Sequence, residues 1–276
     1  MTSQKRNDEL VNLLRPDFFA RNEPNASMVH YPGAILSTCG LQGFWPMSVI
    51  HNITPNIFAH DIATEHDLEF INGPTAGYLD SVTQTSLPPW VNFVAATSQY
   101  LDHGTDDSQH DITGTEAHVA ANERGLTLGG WFKFMTVPAS IFGLISKWYI
   151  AGPPNEGAYR LIKTAANTIQ FDITTDGVTV VSATSTQVVT TATWYHLYGR
   201  FIPSHELAVF VDNEKTALAA GIPAAIFNST EPLQIGRTSR ANYLNGKASM
   251  CHLNAAQLSE GIIEVLWEQS RVMYSK

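Results

Sequence analysis

Cysteine is nearly absent: Cys39 and Cys251 are the two in 276 residues, which excludes a disulfide-stapled scaffold. Charge is scarce too. Asp, Glu, Lys and Arg together make up 15% of the chain, and the balance is acidic, with a formal net charge of -9. No cluster of Lys and Arg offers a footprint for phosphates, so no nucleic-acid partner is expected. No apolar run reaches the ~18 residues of a spanning helix, so no membrane partner is expected either. The opening MTSQKRNDELVNLLRP carries charges where a secretory leader needs an apolar stretch. Synthesis in the cytoplasm is the expectation that follows. No G-x-S-x-G nucleophile elbow accompanies His196, which sits beside Trp194 and Tyr195. Cross-strand packing is therefore the reading for that histidine.

What the chain does have is a hydrophobic content of 44%, enough to bury one large core without covalent staples. From about Leu126 the pattern is β. Ile169, Phe171 and Ile173 alternate with Gln170, Asp172 and Thr174, and Asp176-Gly177 supplies a hairpin turn. Leu207, Val209 and Val211 alternate with Ala208 and Phe210 before Asp212-Asn213, a pair that tolerates left-handed backbone. Tyr195, Leu197, Gly199 and Phe201 share one face of another strand. Only SEGIIEVLWEQSR reads as a body helix, with a Ser259 cap and Ile262, Ile263, Leu266 and Trp267 in helical spacing. Many short strands with turn signals predict an all-β antiparallel sandwich. Residues 1–33 differ: a short amphipathic helix over Asp8 to Leu14, stopped by Pro16, then an irregular run with Phe18 and Phe19. They read as an N-terminal arm for packing on a partner, or as a frayed terminus. No linker divides the remainder, so residues 34–276 form one domain.

The stretch TEHDLEF alternates Glu65, Asp67 and Glu69, which on a strand would share one face. That arrangement resembles the catalytic strand of certain β-glucanases, where a retaining mechanism needs two carboxyls about 5 Å apart. A second cluster runs from Asp102 through His103, Asp106, Asp107 and His110 to Asp111. It would suit calcium through oxygens or a transition metal through imidazoles, but it has neither the spacing of a calcium loop nor that of a zinc helix. A solvated loop is the competing reading. Trp90, in SLPPWVNF, would stack on a sugar or pin a loop.

Six motifs occur in a familiar order: GFWPM (43–47), DLEFINGP (67–74), LTLGGWFKF (126–134), LISKW (144–148), TWYH (193–196), and LQIG (233–236) followed by YLNGK (243–247). Together they resemble the laminin-G-like jelly roll of the concanavalin A-like lectin/glucanase superfamily, from about Ala34 onward. In that fold DLEF is a connector, which turns Glu65, Asp67 and Glu69 from catalysts into solvated carboxylates. The fold also pairs its first and last strands, which implies that Cys39 approaches Cys251 as a disulfide or as two thiols. Calcium-binding relatives use loop carboxylates, but no such set maps residue by residue here, so no cofactor is expected, with calcium at Asp102, Asp106, Asp107 and Asp111 as the alternative.

The wording LTLGGWF, LISKW, GRFIPSHELAVFV and IPAAIFNS further resembles structural proteins of tailed bacteriophages. That resemblance implies a non-enzymatic virion protein assembled in the host cytoplasm, a capsid-decoration, head- or tail-associated part. Such a protein would contact other virion proteins through the arm, form a homo-oligomer and meet a host-surface glycan. A lectin-like module is the alternative, and a glycoside hydrolase through Glu65 and Glu69 the third reading.

Overall fold

The structure, a computed structural model, describes residues 40–47, 50–53, 56–59, 61, 66–77, 90–106, 108–115, 124–150, 152 and 154–274. The arm with Phe18 and Phe19, together with Cys39, Glu65 and Asp107, lies outside the described residues.

Among the described residues, seventeen strands and one α-helix follow one another. The first seven strands are β1 (Leu41–Trp45), β2 (Ile50–Ile53), β3 (Asn56–Ala59), β4 (Leu68–Ile71), β5 (Thr75–Gly77), β6 (Trp90–Phe93) and β7 (Tyr100–Asp102). Longer strands come next: β8 (Leu126–Phe134), β9 (Phe142–Tyr149), β10 (Glu156–Lys163), β11 (Thr168–Thr174), β12 (Val180–Val188) and β13 (Trp194–Ile202). The last are β14 (Glu206–Val211), β15 (Glu214–Ala217), β16 (Gln234–Ile235) and β17 (Gly246–Asn254), before helix α1 (Glu260–Ser270).

They form two antiparallel sheets. One has eight strands in the order β15-β14-β13-β8-β17-β6-β5, with β1 also pairing β17. The other has nine, in the order β12-β11-β10-β9-β16-β7-β4-β3-β2. The first and last strands pair as the resemblance implies, with Trp45 opposite Cys251. Turn chemistry fixes the hairpins. Gly177 takes φ 82°, and Asp212 and Asn213 take 49° and 70°, left-handed values that Gly, Asp and Asn tolerate best. Asp176 closes its turn by accepting from the backbone N–H groups of Val178 and Thr179 at 2.9 and 2.6 Å.

The main core lies between the sheets. Leu128, Phe132, Leu144, Tyr159, Phe171, Leu197, Phe201, Val209 and Leu253 are all buried in it. Each large apolar side chain removed from water contributes about 1.5–3 kcal/mol. A second cluster occupies the opposite, outer face of the eight-stranded sheet. There Phe44, Trp131, Tyr198, Ala208, Phe210 and Met250 meet Ile263 and Leu266 of α1. The helix starts where Ser259 Oγ accepts from the N–H of Ile262 at 3.2 Å, satisfying one orphan donor of its first turn. It is fixed at the far end by Trp131, whose Nε1 donates to Ser270 Oγ at 2.9 Å. Trp131 also stacks on Tyr274 at 4.0 Å and on Trp267 at 5.4 Å. The outer face of the eight-stranded sheet is thus sealed by the chain's own helix.

Candidate functional site

The nine-stranded sheet has the opposite character on its outer face. Because side chains alternate along a strand, the buried positions Leu101, Leu161, Phe171 and Ile235 turn their neighbours outward. Cross-strand register then lines those neighbours up: Ser182 opposite Asp172, Asp172 opposite Arg160, Arg160 opposite Ser146, Ser146 opposite Gln234, Gln234 opposite Asp102, and Asp102 opposite Glu69. A single row of polar side chains crosses the sheet from β12 to β4.

The row has a closed half, toward β12, and a second half, toward β4. In the closed half, Asp172 is fully buried and every oxygen is used. It accepts from Arg160 Nε at 2.8 Å, Gln170 Nε2 at 2.7 Å and Ser182 Oγ at 2.6 Å. Arg160 in turn lies over the Trp148 ring at 4.3 Å. In the second half, Arg237 lies over the Tyr100 ring at 3.8 Å and donates from Nε to Gln234 Oε1 at 3.0 Å. Its nearest carboxylate oxygen, on Asp102, is 4.0 Å away, beyond hydrogen-bond reach. Gln234 is 2% exposed, and its Nε2 has no acceptor. The amide orientation follows from chemistry, since arginine only donates and must face the oxygen. Tyr243 adds a second ring 6.0 Å from Tyr100. Burial pushes the Tyr100 phenol above its ordinary pKa, so it stays a neutral donor. Planar polar groups thus lie beside two aromatic rings in this half of the row.

The segment after β16 shapes this region. Its backbone leans over β9, with Ser146 Oγ donating to the Arg237 carbonyl at 2.7 Å and Gly143 N–H to that of Asn242 at 2.8 Å. Gly143 is required for that approach: a Cβ there would lie 2.2 Å from the Arg237 carbonyl carbon.

The sequence candidates fare differently. TEHDLEF does not form one strand, because β4 begins at Leu68. Asp67 is half-buried, and its Oδ1 accepts from the N–H of Asp61 at 2.9 Å. Asp61, fully buried, accepts from the N–H groups of Phe44 and His66 at 2.8 and 3.2 Å. Of the two that are described, Glu69 sits on a strand, half-buried, opposite Asp102.

The loop from Asp102 to Asp111 is exposed at Gly104, Thr105, Asp106, Ser108 and Gln109, yet two of its carboxylates are tied to the sheet. Lys147, on β9 and fully buried, extends its ammonium to Asp106 at 2.5 Å, Asp111 at 3.0 Å and the Glu231 carbonyl at 2.6 Å. His110 is buried, with its carbonyl accepting from Tyr159 Oη at 2.9 Å, and its ring packs near those of His66 and His103. Among the described residues no three His, Cys, Asp or Glu are placed to hold a metal ion.

Trp90 has one ring face taken by Lys247 Nζ, 3.3 Å from the centroid. Burial and the neighbouring Lys133 lower the pKa of that lysine. Cys251 is a buried free cysteine whose thiol burial pushes above its ordinary pKa. His196 is indeed packed between strands, 5.0 Å from the Trp131 ring and 4.4 Å from Tyr198. Its Nδ1 has no partner, and burial drives its pKa well below 6.5. His252 bridges Asn254 and Tyr198 at 2.8 Å each, its pKa lowered by burial to about 4. Arg237, Gln234, Tyr100 and Tyr243 went unsingled in the sequence; only Gln234 and Tyr243 stood inside motifs, as strand and connector residues.

Two facing antiparallel sheets with this strand order agree with a sequence comparison. The family described as Laminin_G_3, concanavalin A-like lectin/glucanases superfamily, matches residues 104–260, more than half of the chain. The chain belongs to the concanavalin A-like superfamily. No curated protein matches it. Among solved structures of this fold, a Trypanosoma rangeli sialidase in complex with the inhibitor DANA aligns at TM-score 0.54 and 14% identity, over 86% of this chain and 36% of that one. The binding domain of Paraclostridial Mosquitocidal Protein 1 aligns at 0.57 and 9%, over 84% and 52%. The receptor binding domain of a botulinum neurotoxin, mosaic serotype C/D, aligns at 0.53 and 9%, over 84% and 51%. The chain thus spans about a third to a half of the length of these structures, and what it shares with them is the fold. Concanavalin A-like sandwiches occur there both in sialidases and in toxin binding domains.

Proposed function

We propose that this chain is a non-catalytic recognition domain that binds glycan, and that it does so as a structural part of a virion meeting its host surface. The observation that carries the glycan reading is the β4-side half of the polar row, where Arg237 lies over Tyr100 beside Tyr243 and Asp102, and Gln234 Nε2 has no acceptor. The concanavalin A-like fold, shared with two toxin binding domains, supports it. A hydrolytic role has less to work with. Asp67, Asp106 and Asp111 are engaged in structural contacts, and a carboxylate so engaged is a poor acid or base. The virion setting is supported by the phage-like wording of the sequence, and in it residues 1–33 would tie the sandwich to neighbouring subunits.

A glycan array with the full chain tests the recognition reading; the absence of any saturable glycan binding would remove it. Turnover of β-glucans or sialosides that Glu69→Gln abolishes would restore the enzyme reading. Deleting residues 1–33 tests the setting: the truncated chain is expected to fold yet fail to enter particles, and normal incorporation would end that idea.

A further inference from the structure

We propose that His66, His103 and His110 form a binding site for a divalent transition-metal ion such as zinc, which clasps the loop after β7 to the segment before β4.

The two stretches that drew attention in the sequence, TEHDLEF and the run from Asp102 to Asp111, meet in the fold. β4 and β7 are antiparallel with Glu69 opposite Asp102, so the residues just before β4 and just after β7 share one end of the sheet. His66 comes from the first and His103 from the second, and the single turn Ser108–His110 folds His110 back onto both. The three rings lie against one another pairwise. Their centroids are 5.5 Å apart for His66 and His103, 5.5 Å for His66 and His110, and 5.0 Å for His103 and His110. An imidazole nitrogen sits about 2.0–2.1 Å from zinc. That puts each ring centre about 3.2 Å from the ion and, at a tetrahedral angle, neighbouring centres about 5.2 Å apart. The triangle has the size that one ion would impose.

As the rings stand, no three donors among the described residues converge to hold an ion. That is a matter of ring rotation, not of ring position. The Cβ–Cγ bond of a histidine points through the ring centre, so turning χ2 swings the nitrogens while the centre stays in place, and χ2 is a broad torsion. The backbones are already fixed. His66 donates its N–H to Asp61 Oδ2 at 3.2 Å, and its carbonyl accepts from Trp45 Nε1 at 3.0 Å. His103 donates its N–H to the Leu233 carbonyl at 3.1 Å, and the His110 carbonyl accepts from Tyr159 Oη at 2.9 Å. The His103 ring has the polarity a ligand needs. Its Nδ1 lies 3.1 Å from the Thr105 carbonyl, which only accepts, so Nδ1 carries the proton and Nε2 the lone pair.

The ligand type selects the metal. Imidazole suits zinc, copper or nickel, whereas calcium takes oxygens. The loop carboxylates are engaged elsewhere: Asp106 and Asp111 on Lys147, and Asp102 Oδ1 on the N–H of Gly104 at 3.1 Å. His110 is fully buried while His66 and His103 are half-buried. The ion would therefore enter from the side of that pair and keep water in its fourth position.

The test uses the full chain without a histidine tag, stripped with a chelator and titrated calorimetrically with Zn²⁺, Co²⁺ and Ca²⁺. Zn²⁺ and Co²⁺ are expected to bind saturably at one ion per chain, Co²⁺ with the visible absorption of a four-coordinate site, and Ca²⁺ to give no binding. Zn²⁺ should also raise the melting temperature, because an ion that binds only the folded chain stabilises it. Substitution of the buried His110 would disturb packing as well, so His66 and His103 carry the test. His66→Gln and His103→Gln are each expected to weaken Zn²⁺ at least tenfold and to cancel the rise in melting temperature, whereas His205→Gln, at an exposed position, leaves both unchanged. Melting in chelator checks that the variants are folded. The absence of saturable Zn²⁺ and Co²⁺ binding overturns the proposal and leaves the three rings as packing. Undiminished Zn²⁺ affinity in the double variant overturns it by placing the ion elsewhere, and Ca²⁺ binding as tight as that of Zn²⁺ overturns it by pointing to oxygen ligands.

Discussion

Lys147 places its ammonium between Asp106 and Asp111, at 2.5 and 3.0 Å, from a position with 1% side-chain exposure. Lys147→Met removes the only cation those two carboxylates contact among the described residues. Breaking a dry ion pair costs about 3–5 kcal/mol. Asp106, at 37% exposure, recovers part of that from water, so a loss of about 2–3 kcal/mol is expected. Urea denaturation measures it, and hydrogen exchange should show residues 103–111 losing protection first. An unchanged midpoint would mean that the loop is held by other contacts.

Acid should weaken the fold before the carboxylates titrate. His196 and His252 are both buried and neutral, with pKa values lowered by burial, that of His252 from 6.5 to about 4. A lowered native pKa means that the unfolded chain takes up protons first, so stability is full above pH 6.5 and falls toward pH 4. For His252 the loss amounts to on the order of 3 kcal/mol. Glu260, whose pKa is lowered chiefly by its bond to Lys215, adds to the loss only below about pH 4.5. Unfolding free energies at several pH values between 7 and 4 check this. The slope between 6.5 and 5 should flatten in His196→Phe/His252→Gln, and a slope unchanged in that double variant would refute the assignment.

Gly143→Ala drives a Cβ to within 2.2 Å of the Arg237 carbonyl carbon and 2.4 Å of the Thr238 nitrogen. Backbone cannot rotate away as a side chain can, so the 237–243 segment must lift. Overpacking of this kind costs about 1–3 kcal/mol. Thermal melting gives the cost, and loss of glycan binding is expected alongside it because Arg237 moves.

Two helix substitutions should act in opposite directions. Ser259→Ala removes the cap on Ile262 and is expected to cost about 1 kcal/mol. Gly261→Ala, exposed and with nothing closer than Ser259 Oγ at 4.0 Å, is expected to stabilise by about 0.5–1 kcal/mol. Melting temperatures of the pair decide both.

Much of the sandwich was legible because its signals are local. Asp176-Gly177 and Asp212-Asn213 announced hairpins that the backbone makes with left-handed residues, and Ser259 announced the helix it caps. The burial of the outer face was less readable. Ala208 and Phe210 alternate with Leu207, Val209 and Val211, and all five are buried, because the helix covers the face that alternation would leave wet. TEHDLEF misled for a related reason: alternation implies a shared face only within one strand, and Asp67 lies before β4 begins. Lys147, Asp106 and Asp111 are distant in sequence, so no motif joins them. The polar row was the least accessible of all, since its members meet only through the register of seven strands.

The helix laid across one outer face makes the sandwich two-sided, apolar and covered on one side and lined by a polar row on the other. Copies fixed by the helix side would all turn their polar rows in one direction. Weak individual sites held in such an array gain from effective concentration rather than from better contacts. A thiol introduced at Glu264, on the exposed side of the helix, would let the domain be coupled to a bead or chip with its reading face outward.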